Sequence, residues 1–300
     1  MVRPVHFICI SAIALGLAGG CGPSRISSPS ADDAAAQQLR VMLGSTAASG
    51  NSSGDLTSAE STGTGWGSLS GRFVFTGTPP ETKALVIDKD TEICSKDGRK
   101  SLDRSLLVDA STKGLANVVL FVRKVSRVKE PSETVAASAA VFDQKWCEFL
   151  SPVFSAKVGQ AVDVRNSDPI GHNTNISGSS FNQLIPAGQG TTYTPDRETG
   201  MPSMVICNIH PWMKAYVLFR KDGYAAISGT DGSFRIQNLP AEELLEFQVW
   251  HERSTGPNGS LGLEKPELKW TKKGRFQIKL VPDEEKNLGD IEVPAGVLGG

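Results

Sequence analysis

The sequence predicts an all-β fold, and three observations carry that expectation. Apolar and polar residues alternate over short stretches, turn residues separate those stretches, and no long run repeats with the period of a helix. The 300 residues include 31 Gly and 17 Pro, as befits a turn-rich β-sandwich or barrel. The first expected strand covers 69–75 and ends at Gly77-Thr78-Pro79-Pro80, where Pro can neither donate to a ladder nor continue it. Further strands are expected over 84–87, 106–108, 118–122, 139–142, 161–164 and 216–219. A formal charge of −1 leaves no basic field for nucleic acid.

Residues 1–21 read as an export signal. Arg3 supplies a positive n-region, 7–17 is apolar, and small residues lead to Cys21. The run Leu17-Ala18-Gly19-Gly20-Cys21 resembles a bacterial lipoprotein signal, with Ala18 where Leu is usual. Ordinary secretory cleavage nearby is the alternative. The apolar run is too short for a stable span. Lipid on Cys21 would instead hold the chain at a membrane surface, at roughly 0.8 kcal/mol per buried methylene. The expected location is therefore periplasmic or cell-surface. Residues 22–65, rich in Ser, Ala, Gly and Thr, read as a flexible tether in which 34–43 has the composition of a brief helix.

The strongest chemical signal is Ile206-Cys207-Asn208-Ile209-His210-Pro211-Trp212-Met213-Lys214. A thiolate, an imidazole and a thioether lie within seven residues, and His172, in Asn166-Ser167-Asp168-Pro169-Ile170-Gly171-His172-Asn173, offers a second imidazole. Two His and one Cys with a weak axial Met is the ligand set of a blue-copper electron-transfer site. Soft sulfur suits Cu(I) and imidazole suits Cu(II), so neither oxidation state needs much rearrangement. If Cys207 binds metal, export and the loss of Cys9 leave Cys94 and Cys147 as a pair in an oxidising compartment. The competing reading of that pair is two buried free thiols.

These residues resemble the cupredoxins. Cys207-Asn208-Ile209-His210-Pro211-Trp212-Met213 is similar to the short ligand loop of amicyanin, and 163–168 running into His172-Asn173 resembles the strand and loop that bring the first His. The resemblance implies a Greek-key β-sandwich with one type 1 copper near one end, held by His172, Cys207, His210 and Met213. It further implies that Asn173 ties the two ligand loops together by hydrogen bonds. Segments 113–119, 142–147, 182–186 and 250–252 also resemble exported cupredoxin-like proteins labelled after methylamine utilisation, found in planctomycete-type bacteria. Where relatives of that kind carry Pro-His, this chain has Pro152-Val153.

Other readings of the same residues compete. Cys207-x2-His210 is half of a structural zinc site, but zinc needs two more good donors, and outside the signal only His251 remains. A buried structural Cys beside a chance His is the plainest reading. Trp212 suits a docking patch at the ligand edge or simple packing. His251 reads as a buried strand-end residue, and Asp88, Asp90 and Glu92 as a solvated edge without calcium-loop spacing. No phosphate-binding Gly loop or nucleophile elbow is present.

Residues 221–300 differ in style. The stretch 224–236 reads as two strands joined by an Asp231-Gly232 turn, with 245–250 continuing the pattern. This resembles the carboxypeptidase regulatory-like, transthyretin-type β region. The expected organisation is thus a signal over 1–21, a tether over 22–65, a cupredoxin-like domain over 66–220 and a regulatory-like β region over 221–300. The expected function is single-electron transfer by a non-enzymatic copper protein, with a redox partner protein such as a cytochrome or dehydrogenase. A copper-binding or delivery module without redox cycling, and a structural or adhesive β-sandwich, are the rivals.

Overall fold

A computed structural model of the protein describes residues 63–129 and 140–299. The signal, Cys21, and the tether up to residue 62 lie outside the described residues. The fold is all-β, as the alternation predicts. Strands β1 (Trp66–Thr76), β2 (Val119–Val122), β3 (Ala140–Lys145), β4 (Glu148–Phe149) and β5 (Val153–Lys157) come first. Next are β6 (Val162–Asn166), β7 (His172–Ile176), β8 (Asn182–Ile185), β9 (Gly190–Tyr193), β10 (Ser203–Ile206) and β11 (Lys214–Arg220). The remainder are β12 (Ala225–Ile227), β13 (Ser233–Pro240), β14 (Leu244–Trp250), β15 (Arg275–Lys279) and β16 (Glu285–Pro294). Among the described residues the one α-helix, α1 (Thr91–Cys94), is a single turn.

Four sheets form two cores. The sheets β4-β3-β6-β9 and β5-β11-β10-β7-β8 share the first. Phe142, Phe149, Val162 and Val164 from one sheet pack with Ile176, Ile185, Val205, Val217 and Phe219 from the other. This follows from alternation: along β6 the Val side chains at 162 and 164 turn inward while Asp163 and Arg165 turn out and pair with each other. The sheets β13-β1-β16 and β12-β2-β14-β15 share the second core, around Phe73, Leu120, Phe234, Phe247, Phe276 and Ile291.

The sheets do not divide at 220/221. β1 pairs with β13 and, in parallel, with β16, while β2 lies between β12 and β14. The region after residue 220 is therefore completed by two strands from the start of the folded chain. Long-range and parallel pairings of this kind leave no local spacing to read. A third, smaller cluster joins strands of the two pairs of sheets, with Val119, Phe121 and Trp250 packing on Val153 and Leu218. The buried Arg220 reinforces the junction by donating to the carbonyls of Val122 and Arg123.

Three local expectations need correction. Segments 84–87 and 106–108 form only isolated bridges, Ala84 to Leu102 and Val108 to Leu115, each too short to build a ladder. The Asp231-Gly232 turn exists, but β12 and β13 join different sheets. Gly232 has φ +83°, and a Cβ there would run into the Phe73 carbonyl. The turn thus presses against β1 and carries the chain across to it.

His251 follows β14 and is fully buried. Its Nδ1 accepts from the Arg253 amide at 3.2 Å, and its Nε2 lies near the Ala116 backbone without a well-formed hydrogen bond. Burial holds its pKa down to about 4, from an ordinary 6.5. Between those values the unfolded chain binds a proton that the folded chain refuses. Stability therefore falls as pH drops through that window and levels off below about 4. The expected loss is on the order of 3 kcal/mol. Denaturant unfolding of wild type and His251→Gln at neutral and mildly acidic pH checks this; the variant should decline less, and parallel declines would rule the assignment out.

Candidate metal centre

The β6–β7 loop delivers the first imidazole. Asn166, buried at the end of β6, donates to the carbonyls of Ile170, Ile185 and Pro186 at 2.7–3.2 Å. Its own side-chain oxygen accepts from the Asp168 amide at 3.0 Å. That loop sets His172 at the start of β7, with no exposed surface. β10 runs antiparallel to β7, with Ile206 opposite Asn175, so Cys207 leaves the sheet beside His172 and Asn173. The chain then turns tightly. Met213 donates its amide to His210 O at 2.9 Å and accepts from the Cys207 amide at 3.2 Å, closing the loop before β11. Pro211 follows His210 and has no amide hydrogen to satisfy.

Three donor atoms converge. Cys207 Sγ and one ring nitrogen each of His172 and His210 all lie within 4.8 Å of one another, and all three residues are buried. The two Nδ1 atoms are 3.0 Å apart, and Cys207 Sγ is 3.9 Å from His210 Nδ1. Met213 is buried in the same core cluster. Asn173 spans the two ligand loops. Its amide donates to Cys207 Sγ at 3.3 Å, its Oδ1 accepts from the Asn208 amide at 3.1 Å, and its Nδ2 donates to Asn182 at 2.7 Å.

Two carboxylates complete the arrangement, and sequence reasoning missed both. His172 Nε2 lies 2.8 Å from Asp168 Oδ2, and His210 Nε2 lies 2.8 Å from Asp90 Oδ2. Asp88 and Glu92 are exposed, as a solvated edge should be, whereas Asp90 keeps 34% of its side chain exposed and turns its carboxylate onto His210. An ionised carboxylate only accepts, so each Nε2 carries a hydrogen, which in the neutral ring leaves Nδ1 with a lone pair for a metal. The i, i+4 relation of Asp168 to His172 was open to inspection; the 120-residue separation of Asp90 from His210 gave no signal.

The electrostatics point the same way. Burial pushes the Cys207 thiol up, but the His172 ring and the amides of Asn173, His210 and Ile209 outweigh it and bring it down to about 6. Burial would lower the His172 pKa, yet Asp168 and the Cys207 sulfur raise it. Two imidazole nitrogens and a sulfur packed this closely need a shared proton or a metal cation among them. The donor chemistry fits a metal ion: N and S donors at these separations can share one first-row ion with bonds of roughly 2.0–2.3 Å. Soft sulfur with two imidazoles favours softer ions such as copper or zinc over hard cations. The second cluster of potential ligands, Cys147 with Asp168 and His172, is not a separate site, because Cys147 is disulfide-bonded to Cys94.

That disulfide pairs the two cysteines left over in the sequence, 53 residues apart. Closing a loop of that size contributes about 4 kcal/mol in the chain-entropy model. Cys147 sits with Trp146 in the two-residue turn between β3 and β4, and both have positive φ, 60° and 56°. Such turns favour Asn-Gly, which tolerates that backbone. Here Asp168 compensates by accepting both amides, at 2.6 Å from Trp146 and 2.7 Å from Cys147. Trp212 packs its indole 5.1 Å from the His210 ring and donates to the Cys147 carbonyl at 3.1 Å, so it forms one wall of the centre.

No protein-family model matches the chain, and no curated protein matches it. Among solved structures, an oxidised proline-to-alanine variant of amicyanin is similar at 22% identity over 27% of this chain and 82% of its own, with a TM-score of 0.25. A reduced tryptophan-to-tyrosine variant of amicyanin matches at 18% identity over 34% and 98%, with a TM-score of 0.26. Amicyanin from Paracoccus versutus matches at 20% identity over 34% and 97%, with a TM-score of 0.25. Likeness at this level carries nothing about function, and the centre is understood from its own donor atoms.

Asp168 is the group on which the geometry leans. Burial opposes its ionisation, but His172 and the amides of Cys147 and Trp146 hold its carboxyl below the ordinary range. Its contribution to stability is therefore present above the ordinary carboxylate pKa and lost as pH falls through the depressed folded value. Asp168→Ala should cost about 3–5 kcal/mol, since it strands two buried amides and a ring N–H. Urea unfolding of the metal-free protein measures this, and a loss well under 1 kcal/mol would show that the turn holds without the carboxylate.

Proposed function

We propose that this protein binds one copper ion and carries single electrons; His172 Nδ1, Cys207 Sγ and His210 Nδ1 would hold the ion, with Met213 as a weaker fourth ligand. The convergence of two imidazole nitrogens and a thiol with a depressed pKa in one buried cluster supports this reading above all else. When bound, copper supplies a one-electron couple. The residues of the chain do the rest. Cys207 is held ready as thiolate by the donors around its sulfur. Asp168 and Asp90 fix the tautomer and orientation of the two rings. The Asn173–Asn208 and Met213–Cys207 hydrogen bonds tie the ligand loops, so the donors have little freedom to rearrange between oxidation states.

The carrier would be exported and held at a membrane surface by lipid on Cys21, and would exchange electrons with a protein partner rather than turn over a substrate. No helix among the described residues is long and apolar enough to cross a membrane. Self-contained ligation favours a carrier over a copper enzyme, because a second centre needs histidines that the chain lacks; outside the signal only His251 is left, and it is buried in the other core.

Protein loaded with Cu(II) should be intensely blue or green, with one copper per chain and a thiolate-to-copper absorption band. Cys207→Ala should abolish that band while retaining the fold. A colourless wild type, or a band that survives loss of Cys207, would defeat the proposal. Reversible voltammetry of the loaded protein separates a carrier from a delivery module, which need show no reversible couple.

A further inference from the structure

We propose that Asp90 is a positioning residue for His210, and that the segment bearing it is a disulfide-locked cap closing the outer edge of that imidazole to water. The proposal builds on the copper reading above. His210 lies in a loop at the end of a sheet, where the ring nitrogen facing away from the ligand cluster would ordinarily meet solvent. It has no exposed surface at all. Its Nε2 instead meets Asp90 Oδ2 at 2.8 Å. One side of the ring is thus covered by Trp212 and its outer edge by Asp90.

The cap is built to hold that carboxylate in place. Its base is closed by backbone hydrogen bonds from Leu85 to Ser101 and from Asp103 to Lys83, each 2.8 Å. Asp90 itself has φ 49° and ψ 39°, a left-handed conformation that Asp tolerates better than most residues. Its carbonyl accepts from the amides of Ile93 and Cys94, which forms the single turn α1. That turn ends on Cys94, bonded to Cys147. Arg99 and Arg104 add ion pairs to Glu148 next along the chain.

The links form a closed ring. Asp90 holds His210, whose Nδ1 faces that of His172; His172 is held by Asp168; Asp168 holds the amide of Cys147; and Cys147 is bonded to Cys94, four residues from Asp90. Each imidazole therefore has its own carboxylate, one from its own loop and one from the cap. With Nε2–H committed to Asp90, the His210 lone pair at Nδ1 is aimed permanently into the centre, and the ring cannot swing out to solvent.

The test uses the full chain loaded with Cu(I), which is diamagnetic and suits NMR. In wild type the His210 Nε2–H should be a hydrogen-bonded proton that exchanges slowly with water. In Asp90→Ala it should exchange at least about tenfold faster, and copper affinity by chelator competition should fall about tenfold or more. Asp90→Glu should restore much of both. Cys94→Ser with Cys147→Ser should open the ring edge in the same way while leaving Asp90 present. Equal exchange rates and equal affinities in wild type and Asp90→Ala would overturn the cap. Failure of wild type to bind copper would overturn the copper reading instead, and the same exchange comparison on the metal-free protein would then decide the cap alone.

Discussion

The buried carboxylate of Asp168 is the point through which the centre is organised. It accepts from two consecutive amides of a left-handed turn and from the remote nitrogen of His172. Without an acceptor there, Trp146 and Cys147 would have to keep an unfavourable backbone with their amides buried and unpaired. With it, the turn, the disulfide and the first imidazole are fixed together. The carboxylate is therefore structural and electrostatic at once: it stabilises the turn that carries Cys147 and it chooses which nitrogen of His172 faces Cys207.

The rest of the ligand sandwich serves to keep the remaining donors in register with that point. β7 and β10 are neighbours in one sheet, so His172 and Cys207 emerge from the same end of it. Backbone hydrogen bonds within 207–213 then bring His210 back toward His172, and Met213 is buried in the same core. The second core braces this from the other side. Tyr216 of β11 packs 4.7 Å from the Trp250 ring, and Lys214, at the exit of the ligand loop, pairs with Glu252 at 2.7 Å. The strand that leaves the centre is thereby held against the region that follows residue 220.

Much of this was legible in the chain. Alternation located β1 and β6, and short apolar runs located β2, β11 and β14, to within a few residues, because both patterns are local properties of strands buried on one face or on two. The cluster at 207–213 and the isolated His172-Asn173 were legible because Cys, His and Met are scarce and their spacing is short. Other features were not. Segment 84–87 looks like a strand but lies in the cap, and the two strands around Gly232 look like a hairpin but part into different sheets. In both cases the deciding partner lies far away in sequence, at Leu102 in the cap and along β1 for the turn.

Residue identity alone supplied the candidate donors: a thiol, two imidazoles and a thioether, with two further cysteines to spare, since those chemistries are properties of side chains and of their count. Only the tertiary structure decided what surrounds them. It brought Asp90 to His210 across 120 residues and made a partner of a side chain that reads as solvated edge. It also placed β1 and β2 with the strands after residue 220 rather than with the ligand sandwich. Short spacing and periodicity report on neighbours along the chain, whereas ring orientation, closure to water and sheet membership depend on groups that meet only when the chain has folded.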